Sequence, residues 1–191
     1  MDVVEIDPRV EQIARDFFRL RDNERLRIFH EDGRVFLNSA PAGTYDAVMI
    51  DAFGSLFSVP YQLTTREAVE QMSRVLNDRG VVIANIGSSI NGEASRFLQA
   101  ELATYRAVFP QVFVFKVRGE RKDTDLQNLI LLATKSNVSF EMTSPDAELN
   151  ELLKRLYDQP IAIAEPVITD ELAPVEFYNS SAQRYFLSSR Q

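Results

Sequence analysis

Short apolar segments alternate with helix-length amphipathic segments along the first two-thirds of this 191-residue chain, and this alternation restricts the fold more than any other feature. Repeated strand–helix units of this kind predict a mainly parallel sheet with helices on both faces. The apolar segments predict strands at residues 2–6, 26–30, 45–50, 80–86, 112–117 and 127–134. We therefore expect an α/β fold.

The segments between these strands have the periodicity and the end residues of helices. Longer helices are predicted at residues 8–19, 64–76, 92–109 and 146–156, and a short one at residues 34–39. Pro8 lies in the first turn of the first helix, which has Val10 and Ile13 among the apolar residues of one face. Thr64 or Thr65 is the expected N-cap of the second helix.

The last two predicted strands are separated only by the charged residues 118–125, which predicts an antiparallel hairpin at the edge of the sheet. Beyond Ser136 the pattern changes to one helix and a tail interrupted by prolines. We expect residues 1–136 to form the core of one domain. Residues 137–191 are expected to pack on that domain as a C-terminal helix and tail.

Composition limits the classes of partner and the compartment. The net charge of −7 disfavours nucleic acid, because proteins that bind the phosphate backbone need clustered Lys and Arg. The chain contains no cysteine, which excludes thiolate metal ligands and fits a reducing compartment. Its longest apolar runs are far shorter than the roughly 20 residues needed to cross a bilayer. We expect a cytoplasmic protein with no metal and no membrane insertion.

Acidic residues follow three of the predicted strands, and ligands of such sheets bind beyond the carboxyl ends of the strands. Glu5 lies in the first of these segments, where a carboxylate can accept hydrogen bonds from both ribose hydroxyls of an adenosine cofactor. The alternative is that Glu5 or Asp7 only caps the helix that begins at Pro8. We interpret Asp7 as the cap and Glu5 as the ligand.

Two further acidic residues, Asp32 and Asp51, follow the second and third predicted strands. Asp32 can accept a hydrogen bond from the adenine amino group while the backbone amide beside it, at Gly33, reaches a ring nitrogen. Alternatively, Asp32 caps the short helix that follows, and the sequence favours neither interpretation. Asp51 ends the third apolar segment, where we expect it to be partly desolvated at the active edge of the sheet. Its alternative role is that of an N-cap in a loop.

The segment directly after Asp51 is rich in apolar residues, namely Phe53, Leu56, Phe57, Val59, Pro60 and Tyr61. It is expected either to act as a lid that excludes water or to serve in loop packing or in the contact of a homodimer. His30 is the only histidine. Because it ends a strand without an evident partner, we interpret it as structural.

A glycine-rich turn is expected about 20 residues before the acid that binds ribose in a dinucleotide-type fold. Only four residues precede Glu5 in this chain. We therefore expect the first strand, the glycine-rich loop and the first helix to be absent, through truncation or through replacement by another segment. Weak binding of the cofactor by the chain is expected in consequence.

Three segments together resemble the spermidine synthase-like family in order and spacing: VEIDP at residues 4–8, DGRVFL at residues 32–37 and YDAVMID at residues 45–51. The resemblance covers residues 2–134 and implies a Rossmann-like fold of the class I methyltransferase type. It implies transfer of an aminopropyl group from decarboxylated S-adenosylmethionine to putrescine or a related small amine. By this resemblance Glu5 holds the ribose, Asp32 and Gly33 hold the adenine, and Asp51 lies at the cofactor as the catalytic acid–base residue.

One residue departs from the pattern of this family. Gly54 stands where polyamine-forming members carry a second acid, which weakens the case for a dication such as putrescine as the acceptor. This departure favours, as a second hypothesis, a methyltransferase that uses S-adenosylmethionine itself. A third hypothesis is an interaction protein that retains the fold but binds no cofactor. The sequence leaves the acceptor unidentified.

Overall fold

The computed structural model describes residues 1–52, 59–138 and 140–188. The chain forms two compact units, Met1–Pro41 and Ala42–Gln191. The division predicted after residue 136 stays a prediction. Within the described ranges, no helix combines the length and the apolar character needed to cross a membrane.

The first unit contains two short parallel strands, each followed by a helix. Its elements in chain order are β1 (Asp2–Val4), α1 (Pro8–Phe18), β2 (Arg27–Phe29) and α2 (Gly33–Ser39). The two strands pair in parallel, from Asp2 opposite Arg27 to Val4 opposite Phe29. Both predicted strand–helix units are confirmed. Because the strands are parallel, the segments that follow them lie at the same edge of the pair.

Local hydrogen bonds and backbone conformation determine where helix α1 begins and ends. Asp7 is the N-cap, and its side chain accepts a hydrogen bond from the backbone N–H of Arg9. The Arg9 side chain also donates to this carboxylate, and these hydrogen bonds lower the pKa of Asp7 to about 2. Arg19 ends the helix in the left-handed conformation, at a φ of 60°. The interpretation of Asp7 as a cap is confirmed.

The second unit is built on a four-stranded sheet with the order β3, β4, β6, β5. Its elements are β3 (Tyr45–Ile50), α3 (Arg66–Val75), β4 (Leu76–Ser88), α4 (Arg96–Arg106), β5 (Gln111–Lys116), β6 (Gln127–Thr134), α5 (Ala147–Leu153) and α6 (Val175–Ser188), with 3₁₀ turns at Tyr61–Leu63 and Glu93–Ser95. β3 is parallel to β4, whereas β6 is antiparallel to both β4 and β5. The predicted hairpin is confirmed, and since its second strand pairs with β4, this sheet is mixed.

The pairing of β3 with β4 changes register near its beginning. Tyr45 lies opposite Leu76, but Ala47 lies opposite Val81, so β4 contains three more residues than β3 between these two pairs. Gly80 lies within this irregular stretch, and a Cβ atom placed on it would lie 2.8 Å from the side chain of Leu76. The stretch therefore requires glycine at that position.

The core of the second unit lies between the sheet and two helices. Helices α3 and α4 pack on β4 and on each other. Alternate residues of β4 and β6 are buried, including Val82, Ala84, Ile86, Leu129, Leu131 and Ala133. The helices contribute the fully buried Val69, Met72, Val75, Leu98, Leu102 and Tyr105. By contrast, Met49 of β3 is 75% exposed, so the core is restricted to the face that these helices cover.

Thr65 connects the beginning of α3 with the C-terminal segment. It is the N-cap of α3, and its hydroxyl accepts a hydrogen bond from the backbone N–H of Ala68 at 3.3 Å. The same hydroxyl donates to Asp170 Oδ1 at 2.6 Å. The predicted cap is therefore confirmed at Thr65, and it also holds part of the chain that lies more than one hundred residues further on.

Helix α6 shows that the prediction of a tail without a second helix was wrong. Within residues 175–184 of this helix, the buried residues are Val175, Tyr178, Asn179 and Ala182, which have the i, i+3, i+4, i+7 spacing of one helix face. The buried polar side chain of Asn179 and the preceding prolines obscure this pattern in the sequence. The helix packs on α4, where the Arg96 guanidinium lies over the ring of Tyr178 at 5.2 Å.

Candidate functional site

Glu5 follows β1 in the first unit and is half-buried. Its backbone N–H donates to the carbonyl oxygen of Phe29 at 3.0 Å, which extends the pairing of β1 with β2. Its Oε1 accepts a hydrogen bond from the backbone N–H of Asp7 at 2.9 Å. This bond restricts the orientation of the carboxylate at the edge of the strand pair. Its role in binding ribose stays a prediction.

Asp32 is the N-cap of α2. Its Oδ1 accepts hydrogen bonds from the backbone N–H groups of Arg34 at 2.7 Å and Val35 at 3.3 Å. Gly33 is the first residue of the helix. The capping interpretation is thus observed, while the contact of Asp32 and Gly33 with adenine stays a prediction. Since Glu5 and Asp32 follow parallel strands, the structure brings both acids to one edge of the first unit.

Asp51 follows the last residue of β3 in the second unit. The side-chain amide of Asn85, on β4, donates from Nδ2 to Asp51 Oδ1 at 2.9 Å. Asp51 is exposed, so the expected partial desolvation was wrong. The reason is that Asp51 extends past the end of β3, which pairs only with β4 among the described strands. Asn85 restricts the orientation of this carboxylate and leaves it accessible to a ligand.

The apolar segment after Asp51 is described only in part. Phe53, Leu56 and Phe57 lie outside the described residues, as does Gly54 at the position of the second acid. Val59 and Pro60 are half-buried, and Tyr61 is 55% exposed. The alternatives of a lid, loop packing and a homodimer contact therefore stay open.

His30 has a partner that its position in the sequence does not reveal. Its Nε2 lies 2.8 Å from Glu11 Oε2, and Arg15 contacts the other oxygen of the same carboxylate. This cluster links β2, through the residue that follows it, to helix α1. A contact of this kind agrees with the structural interpretation of His30.

A small cavity of about 20 Å³ lies between the end of β3, β4 and α4. Its walls are mostly apolar, but Asn85 and Glu101 contribute polar groups. Glu101 is 4% exposed, and its burial raises the pKa of the carboxyl group well above the ordinary value of 4.5. Glu101 Oε1 and Asn85 Oδ1 are buried and have no hydrogen-bond partner within the described part of the chain. Glu101 therefore lies in the wall of this cavity with a buried oxygen that no described residue satisfies.

Asn85 and Glu101 are absent from the set of predicted site residues, although each interrupts an apolar pattern. Asn85 stands between Ala84 and Ile86 in a strand of apolar residues. Glu101 lies one helical turn after Phe97 and one turn before Tyr105, both of which are buried. Charged residues are almost never fully buried unless they are paired. A charged residue at a position that helical periodicity assigns to the core identifies Glu101, and an amide within an otherwise apolar strand identifies Asn85.

Three features define the class of this protein. They are the order of its strands and helices, the closing antiparallel hairpin and the acidic residues at the ends of strands. This class is the α/β, Rossmann-like fold of the class I methyltransferase type. A probable spermidine synthase from Corynebacterium glutamicum ATCC 13032 has a similar structure, with a TM-score of 0.65 and 25% sequence identity. The similarity covers 95% of this chain and 61% of that one.

The family model described as the spermine/spermidine synthase domain matches residues 1–118. The chain belongs to this family, which confirms the resemblance seen in its sequence. The polyamine aminopropyltransferase of Vibrio vulnificus is 36% identical over 122 residues, which make up 63% of this chain and 39% of that protein. The N-terminal histidine N-methyltransferase of Emericella nidulans is 26% identical over 166 residues, which make up 83% of this chain and 29% of that protein. The chain thus spans less than half the length of these two relatives.

Proposed function

We propose that the protein is a spermidine synthase-like transferase that moves an aminopropyl group from decarboxylated S-adenosylmethionine to a small amine. The observation that carries this proposal is the family match over residues 1–118. The matched part contains an acidic residue after each of three strands, namely Glu5, Asp32 and Asp51. The similarity to a polyamine aminopropyltransferase supports the same reaction.

The proposal gives each acid a separate task. Glu5 accepts hydrogen bonds from the ribose hydroxyls, and the bond from the Asp7 N–H supports this role because it keeps the carboxylate in one orientation. Asp32 accepts a hydrogen bond from the adenine amino group, and the backbone amide of Gly33 donates to a ring nitrogen. The two amides of α2 that hold Asp32 support this role in the same way.

Asp51 acts on the amine in this proposal. An ammonium group has no lone pair, so it must lose a proton before it can attack. The Asp51 carboxylate accepts this proton, the nitrogen lone pair forms a bond to the carbon beside the sulfonium, and the carbon–sulfur bond breaks. The electron pair of that bond goes to sulfur, and neutral methylthioadenosine leaves. The hydrogen bond from Asn85 supports this role because it orients the base.

Release of methylthioadenosine from decarboxylated S-adenosylmethionine tests the proposed function. The protein is incubated with the donor and with amines that carry one or two positive charges, and the nucleoside product is measured by chromatography. We expect product only when an amine is present. Since Gly54 replaces the second acid, we also expect singly charged amines to be preferred over putrescine. A strong preference for putrescine would contradict this interpretation of Gly54.

A methyltransferase is the second candidate function. It is favoured by Gly54 and by the similarity of this chain to the N-terminal histidine N-methyltransferase of Emericella nidulans. Parallel incubations with S-adenosylmethionine distinguish the two reactions, because methyl transfer releases S-adenosylhomocysteine instead of methylthioadenosine. If neither donor is consumed and neither product binds, both transferase candidates are contradicted, and the hypothesis of an interaction protein that retains the fold is favoured.

We predict that Glu5→Gln weakens the binding of methylthioadenosine by about 1–3 kcal/mol, the usual cost of losing a charged hydrogen-bond partner. Glutamine has nearly the same shape but presents a neutral acceptor to the ribose hydroxyls. Calorimetry with millimolar ligand measures the difference in affinity between the two proteins. Glu24→Gln is the matched control, because Glu24 is an exposed glutamate of the same unit. Equal affinities of the Glu5→Gln variant and the parent would show that Glu5 does not bind the ribose.

A further inference from the structure

A closed series of contacts joins the end of β2 to the beginning of α1, and Glu5 is one of its members. The Glu5 backbone N–H donates to the carbonyl oxygen of Phe29 at 3.0 Å, and Glu5 Oε1 accepts from the N–H of Asp7 at 2.9 Å. Asp7 caps α1. In the first turn of this helix, Glu11 Oε2 lies 2.8 Å from Nε2 of His30, the residue that follows Phe29. The series therefore returns to the strand at which it began.

This series lies beside both acids that the proposed function assigns to the nucleoside. Glu5 belongs to it, and Asp32 follows His30 by two positions at the beginning of α2. A carboxylate binds a ligand best when it is held in the productive geometry. Of the contacts just named, the one between His30 and Glu11 joins two side chains. It therefore connects the two segments that carry the acids without involving the backbone.

The charges around this contact are defined by the neighbours of Glu11. The Glu11 side chain is only 16% exposed, and its Oε1 accepts a hydrogen bond from Arg15 Nε at 2.7 Å. Arg15 also forms an ion pair with Asp22 at 2.9 Å. The two residues that follow His30 in the chain are acidic as well. Glu11 is thus paired with one permanent cation and with one group whose charge depends on pH.

The strength of the contact depends on the protonation of His30. Histidine is the side chain that ordinarily changes its charge between pH 5 and pH 8, and this chain contains a single histidine. A hydrogen bond from a protonated imidazole to a carboxylate is charge-assisted, and such bonds are roughly twice as strong as neutral ones. The contact between His30 and Glu11 is therefore stronger at pH 6 than at pH 8.

We propose that His30 and Glu11 are positioning residues for the nucleoside, and that protonation of His30 strengthens nucleoside binding by holding Glu5 and Asp32 at their edge of the first unit. This inference rests on the roles that the proposed function gives to these two acids. Coupling between two binding events is reciprocal. If protonation favours binding of the nucleoside, then binding of the nucleoside also favours uptake of a proton.

Nuclear magnetic resonance of the full chain tests the contact without any ligand. The single imidazole gives one set of resonances, which is followed through a pH titration of the parent and of Glu11→Gln. The imidazole of the variant is expected to lose its proton at lower pH, because a neutral amide replaces the carboxylate. Glu24→Gln, which changes an exposed glutamate of the same unit, is expected to titrate like the parent. Identical titrations of all three proteins would overturn the contact.

Calorimetry with methylthioadenosine at pH 6 and pH 8 tests the coupling. The parent is expected to bind up to about tenfold more tightly at pH 6, the difference between a charge-assisted and a neutral hydrogen bond. His30→Gln is expected to bind equally at both pH values. In buffers of different ionisation enthalpy, the parent should take up protons on binding and this variant should not.

Two results of this experiment contradict different proposals. Equal affinities of the parent at pH 6 and pH 8, or the same pH dependence in His30→Gln, would overturn the coupling and leave the nucleoside site intact. If methylthioadenosine bound to neither protein at either pH, the proposed nucleoside site would be contradicted and the coupling with it. The imidazole titration would then still decide whether His30 and Glu11 form the contact.

Discussion

Asp51→Asn is expected to lower turnover by roughly 10²–10⁴-fold, the contribution of a positioned general base, while the affinity for the adenosyl donor changes little. Asparagine has nearly the same shape as aspartate, but its amide cannot accept the proton of the amine. Asp51 is exposed, so the substitution removes no buried charge. The fold is therefore expected to be retained, and the loss should appear in kcat rather than in donor binding.

The control for this variant lies near the beginning of β3, the strand that Asp51 follows. Asp46→Asn changes an exposed aspartate of β3 that also accepts a hydrogen bond from an asparagine of β4. It is expected to leave turnover unchanged, because Asp46 lies at the opposite end of β3 from Asp51. Rates are measured as release of the nucleoside product with saturating amine. Full activity of Asp51→Asn would exclude Asp51 as the base, and a large loss of stability in that variant alone would identify a structural role.

Glu101→Gln is expected to change how stability depends on pH. In the folded protein, burial raises the pKa of Glu101 well above 4.5. Above pH 4.5 the unfolded chain releases this proton, whereas the folded protein retains it. The parent is therefore destabilised progressively as the pH rises from 4.5 toward the folded pKa, by up to about 1.4 kcal/mol per pH unit. Glutamine does not titrate, so the variant is free of this loss.

The quantity to measure is the difference in the free energy of unfolding between the parent and Glu101→Gln. Urea unfolding at several pH values gives the free energy of unfolding of each protein. From pH 5 upward, the variant is expected to become progressively more stable relative to the parent. Glu120→Gln is the control, because Glu120 is exposed in the connection between β5 and β6. If the difference between parent and Glu101→Gln stayed constant over this range, Glu101 would not be neutral in the folded protein.

The features that follow from local chemistry could be predicted from the sequence. The alternation of apolar and amphipathic segments identifies the six strands of the described residues. The N-cap Asp7, and Thr65 as one of two candidates, follow from the affinity of short polar side chains for the first amides of a helix. Asp32 shows the limit of such reasoning. Capping and adenine binding require the same residue type at the same place, so the sequence could not separate them.

The features that depend on contacts between distant segments could not be predicted. Strand β4 begins at Leu76, four residues before its predicted start, because Leu76 pairs with Tyr45 ahead of the irregular stretch. That stretch contains Asn77, Asp78 and Arg79, whose polarity is typical of a turn. The hydrogen bond between Asn85 and Asp51 joins residues 34 positions apart. The burial of Glu101 depends in the same way on how α4 packs on the sheet, which periodicity alone does not fix.

The change of register between β3 and β4 determines which side chain meets Asp51. If the spacing at Tyr45 and Leu76 continued along the strands, Asp51 would lie opposite Val82, which has no group to donate to a carboxylate. The three additional residues of β4 bring Asn85 there instead. The irregular stretch at residues 77–80 thus sets which side chain of β4 donates to the carboxylate at the end of β3.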